Sequence, residues 1–135
     1  MNVSWIIAGA AALITGIGRS REFFVNLQPL LLSGDVPVPV ISWFTTVWFI
    51  VSGLFVFSAL VYIAIGLCPQ KIASKQLAIA LTILFICVWL IIAATNIWLV
   101  DSPTSRPLIP IGIIIGFSIL GIYREHVRAL RSDAA

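Results

Sequence analysis

The chain has 135 residues, of which 61% are hydrophobic and 10% charged, with a mean hydropathy of +1.14. Soluble domains carry about 25% charged residues because water must solvate their surface, so this composition excludes an ordinary soluble fold and points to lipid. The net charge of +3 comes from Lys and Arg residues scattered over the gaps between apolar runs, with no basic stripe, which argues against a nucleic-acid partner.

The first apolar run covers about residues 3–18. No basic residue precedes it, so it lacks the positive start of a secretory signal and reads as a retained helix. Ala8, Ala12 and Gly16 recur every fourth residue, a small-residue face that lets helix backbones approach closely in lipid. The sequence leaves open whether this helix ends at Gly18 or continues to about residue 27. The answer decides the nature of Arg19 and Glu22: interfacial charges in the first case, a membrane-embedded i, i+3 ion pair in the second.

Residues 19–42 form the longest break between runs, mixing charge with the apolar Phe23-Phe24-Val25 and Leu30-Leu31-Leu32. Ser33-Gly34-Asp35 is a turn pattern, and Pro37 and Pro39 are expected to interrupt regular helix. So apolar a segment predicts a loop lying at the membrane interface or against the bundle.

Two longer runs follow, at about 43–67 and 76–100, each meeting the roughly 20 residues that a hydrocarbon core requires. Because lipid offers no hydrogen bonds to the backbone, each run is predicted to be helical. Pro69, Lys71 and Lys75 mark the break between them, and Asp101-Ser102-Pro103 opens the next. Cys68 and Cys87 lie too far apart along their helices to bridge, and Cys87 reads as a small apolar core residue.

Asn96 and Thr95, near the end of the third run, are polar in an apolar setting. Two roles fit: a hydrogen bond to a neighbouring helix, or a small polar pocket with Trp43, Trp48 and Trp98 for an amphipathic ligand. Trp43 and Trp98 also fall at one predicted membrane face, with Tyr62 and Tyr123 approaching the other, as an aromatic belt requires.

The last run, about 108–123, begins with Pro107 and Pro110, where a missing N–H is tolerated, and carries the GxxxG pair Gly112 and Gly116. A basic tail at 124–135 holds His126, the one histidine, which lacks the partner ligands of a zinc site. Placing both termini in the cytoplasm puts five Lys and Arg residues inside and three outside, the favoured sense of the positive-inside rule.

The opening run, the Pro-broken first loop and the start Trp43-Phe44-Thr45-Thr46-Val47-Trp48 of the second run resemble small, uncharacterised four-helix integral membrane proteins of bacteria. Some of those families place a His after a Trp near this point; here Phe44 and Phe49 stand there, which puts any role of that His in doubt. The resemblance implies a fold and a bacterial inner-membrane location, and no activity. Small multidrug-resistance transporters share size and helix number, but their membrane-embedded acidic residue has no counterpart in the first run unless Glu22 sits far deeper than an interfacial position.

The expectation is therefore an all-α, four-transmembrane-helix bundle, one integral membrane domain over residues 1–135 with an interfacial first loop. No catalytic, metal or phosphate-binding motif is present, so the expected role is a structural or accessory component of a membrane assembly, not an enzyme, and no cofactor is expected. Its partners would be membrane lipid, a second copy or a larger membrane complex. The rival reading is a small transporter or lipid-like ligand binder that uses polar residues near the outer face.

Overall fold

The computed structural model describes residues 1–68, 72–100 and 108–133, with side chains for 1–68, 75–94 and 108–131. All of its regular elements are helices: α1 (Val3–Glu22), a π turn (Phe23–Leu27), α2 (Gln28–Ser33), α3 (Val38–Leu67), α4 (Ile72–Val100) and α5 (Leu108–Asp133). Four helical spans, with α1 running on through Ser33, are long and apolar enough to cross a membrane. The fold is an all-α four-helix bundle, and its composition and helix lengths fit an integral membrane protein.

Of the two ends the sequence left open for the first helix, the structure has the later one, and two other helix bounds differ from the sequence reading. The first helix continues through Arg19 and Glu22, and the expected long loop narrows to residues 34–37. Pro29 would clash with a carbonyl four residues back in an unbroken α-helix. The chain absorbs this with the π turn, in which the Gln28 N–H reaches the Phe23 carbonyl, five residues earlier. Pro37 and Pro39, expected as interruptions, instead start α3: Pro37 is its N-cap and Pro39 lies in its first turn, where no N–H is needed. Finally, α5 runs well past Tyr123, to Asp133.

Contacts fix the topology. Asn2 meets Gly66, Gly9 meets Ala59 and Ile63, and Gly16 meets Ser52, so α1 and α3 run antiparallel. Gly121 of α5 lies on Trp5, Tyr62 of α3 bonds to Thr82 of α4, and Trp89 of α4 bonds to the Leu108 carbonyl of α5. Thus α1 sits between α3 and α5, while α4 closes the bundle against α5 and α3.

The tightest seam is α1 against α3. A Cβ placed on Gly9 would lie 2.6 Å from Ile63 Cγ1 and 2.9 Å from the Ala59 carbonyl oxygen. One on Gly66 would lie 3.1 Å from the Asn2 carbonyl oxygen. Ala8, Ala12 and Gly16 are all buried on this helix. At the start of α1, Asn2 is buried and ties three helices together. Its N–H donates to the Gly66 carbonyl at 2.8 Å, and its Nδ2 donates to the Gly121 carbonyl at 3.1 Å.

The core continues through Trp5 stacked on Tyr62, with ring centroids 5.4 Å apart, and Phe55 against Phe85 at 5.1 Å. Tyr62 is fully buried, so it does not belong to an interfacial belt; its hydroxyl lies 3.1 Å from Thr82 Oγ1. Cys87 is exposed on α4, and the core position expected for it goes to Phe85.

Gly9→Ala should destabilise the bundle by about 1–3 kcal/mol, the usual range for overpacking. Gly53→Ala, where an added Cβ meets nothing within 4 Å, should be neutral or slightly stabilising. Thermal unfolding of the two variants in detergent checks the contrast.

A candidate amphiphile cleft at the end of α1

One turn beyond Gly16, the helices α1, α3 and α5 leave a cleft of about 420 Å³. Its apolar lining is Ile14, Phe55, Pro110 and Ile111, of which the buried Phe55 and Ile111 form the floor, and its polar lining includes Thr15, Arg19 and Glu22. The local fold produces this arrangement directly. Because α1 stays helical past Gly18, Thr15, Arg19 and Glu22 recur at helical spacing on one face and turn toward the gap. Gly16 holds α3 close, with a built Cβ only 3.1 Å from the Ser52 carbonyl oxygen, which brings Trp48 of α3 alongside Arg19.

Trp48 grips this end of α1 in two ways. Its indole Nε1 donates to the Arg19 carbonyl at 2.9 Å. Its ring also lies beneath the guanidinium, with Arg19 Cζ 4.2 Å from the ring centroid. That carbonyl also accepts the Phe23 N–H that caps α1. Phe23 is buried next to it, edge-on to Phe49 at 5.2 Å between centroids. Arg19 is half-buried, and its Nε is buried without a hydrogen-bond partner among the described residues. Glu22 is exposed at the rim, and no contact ion pair joins it to Arg19.

The structure brings Arg19, Glu22 and Trp48 of the sequence-predicted residues to one site. Trp43 is not among them: it is 75% exposed and does not line the cleft. The side chains of Thr95, Asn96 and Trp98 lie outside the described residues. Of the small-residue positions, Ala8, Ala12 and Gly16 face the bundle interior. Gly112 and Gly116 are exposed on α5, and an added Cβ on Gly116 meets nothing within 4 Å.

Sequence reading missed Phe55, Ile111 and Ile14 as cleft residues, since nothing distinguishes them from other apolar positions in a span. Among the described residues, no group of three or more His, Cys, Asp or Glu side chains is placed to hold a metal ion. What this cleft can do chemically is hold an anionic group against a guanidinium while an apolar body lies on the floor beyond it.

Trp48→Phe should keep the ring under Arg19 but remove the bond to the Arg19 carbonyl, at a cost of about 0.5–1.5 kcal/mol. Comparing its thermal stability with that of the parent protein measures this term. No protein family, curated protein or solved structure was found to match this chain.

Proposed function

We propose that this membrane protein holds an amphipathic anion, a lipid or lipid-like molecule with a carboxylate or phosphate head, in the cleft between α1, α3 and α5. One observation carries the reading: a half-buried arginine, its Nε unpartnered, placed above an apolar floor. A guanidinium in an apolar setting is costly unless paired, and a bidentate anion is its best-matched partner. The cleft volume of about 420 Å³ falls within the roughly 300–1,000 Å³ usual for small-molecule sites. Glu22 at the rim would disfavour heads of high negative charge.

A second reading, a structural or accessory component of a membrane assembly, draws on a different observation. Gly116 is exposed on α5 with nothing within 4 Å of an added Cβ, while Gly112, one turn earlier, would meet only the Trp89 indole at 3.8 Å, and an exposed small residue of this kind lets another membrane helix pack closely. The two readings are compatible, because an accessory subunit can carry a bound lipid. The distribution of Lys and Arg supports an orientation with both termini cytoplasmic, and the resemblance to bacterial four-helix proteins supports an inner-membrane location.

Arg19→Gln should weaken retention of a long-chain fatty acid or a lysophosphatidic acid by about tenfold or more, the scale of one charged hydrogen bond. Native mass spectrometry of the full chain released from detergent, titrated with each amphiphile, reads this out. Equal retention by both proteins would sink the proposal.

A further inference from the structure

At the opposite end of the bundle, α5 continues as a helix well beyond its apolar run. This extension carries Arg124, Arg128 and Arg131, spaced i, i+4 and i+7, so the three fall on one helical face. All three are exposed. Immediately beside that stripe, Tyr123 and Leu130 form an apolar strip and are 64% and 58% exposed.

The nearest acidic residue does not neutralise the stripe. Glu125 turns inward and pairs with Lys75 of α4, Nζ to Oε2 at 3.3 Å, with its side chain 14% exposed. The surface therefore presents basic charge next to exposed apolar side chains. We propose that this face of α5 docks onto the anionic lipid headgroups of the adjacent leaflet.

Three physical points favour lipid as the occupant. The pair Lys75–Glu125 and the contacts of Asn2 with Gly66 and Gly121 mark the level where the helices of the bundle end. From Arg124 to Arg131 the helix rises only about 11 Å, so three long, flexible arginine side chains can all reach a headgroup layer of about 5–8 Å on one side of a bilayer. The adjoining Tyr123 and Leu130 suit the boundary between headgroups and acyl chains, whereas a soluble acidic partner would leave them in water. Near an anionic leaflet each arginine should contribute about a fivefold preference.

The test uses the full chain with Cys68 and Cys87 replaced by Ser and an environment-sensitive dye attached at Leu130→Cys. The protein is placed in nanodiscs of phosphatidylcholine alone or with a third phosphatidylglycerol, and the dye is quenched with acrylamide, a neutral quencher that the lipid charge does not repel. With phosphatidylglycerol the dye should become several-fold less accessible, and raised salt should restore access. The variant R124Q/R128Q/R131Q should remain accessible in both lipids, and each single Gln variant should give up about fivefold in the protected-to-exposed ratio. Equal quenching in the two lipids, or no difference between parent and variants, overturns the proposal. Protection produced by soluble polyglutamate but not by phosphatidylglycerol would assign the stripe to an acidic peptide and overturn it too.

Discussion

The rest of the structure depends on how closely α1 approaches α3. Lipid tails are as apolar as the helices themselves, so no hydrophobic effect draws helices together within a membrane. Attraction has to come from dispersion contacts and polar groups, and both need short distances. Gly9, Gly16 and Gly66 supply them by placing backbone carbonyls of one helix against the space where the other lacks a Cβ. With Ala8 and Ala12 between them, these positions form one seam along most of α1. The cleft is a consequence of this seam. Gly16 sets the distance from which Trp48 can reach the Arg19 carbonyl one turn later, and Arg19 is held over the cleft as a result.

A second constraint is that polar groups in lipid must be satisfied within the protein. Most hydroxyls in the spans meet it locally, by donating to the carbonyl four residues earlier, as Thr15, Thr45, Ser52 and Ser58 do. Such bonds cost the helix little and specify no partner. The groups that do specify partners are few. Asn2 bonds to both α3 and α5, Tyr62 meets Thr82 across the α3–α4 contact, and Trp89 reaches the first residue of α5. Together they fix the register of helices that apolar packing alone would allow to slide. Among the described residues three buried polar atoms lack a hydrogen-bond partner, Trp5 Nε1, Glu125 Oε1 and Arg19 Nε, and of these only Arg19 Nε belongs to a residue lining the cleft.

Much of this was legible in the sequence, and the reasons are specific. Four spans follow from composition and run length, since an uncharged stretch such as that of α3 has few soluble alternatives. The spacing of Ala8, Ala12 and Gly16 marked the seam because small residues in lipid have a clear mechanical use. Residues 19–33 were harder, because Gly16, Gly18 and Pro29 all weaken a helix locally, and the tertiary contacts of Trp48 with Arg19 and of Phe49 with Phe23 are not visible in a sequence. Arg19 and Glu22 were recognisable as candidates, but their surroundings were not. Phe55 and Ile111 come from other helices, and a single sequence carries no record of which apolar residues meet. Tyr62 was misplaced for a similar reason: an interfacial tyrosine and a buried one bonded to a threonine read alike until the partner helix is known.

The central claim is the antiparallel α1–α3 seam in its particular register, and nuclear Overhauser contacts in the isotope-labelled protein test it most directly. The account predicts cross-peaks from the Gly9 Hα to Ile63 side-chain protons and from the Gly66 Hα to those of Ile6, pairs whose close approach the missing Cβ atoms permit. Absence of both, with the Gly9 and Gly66 protons instead meeting lipid or other residues of α3 and α1, would contradict it.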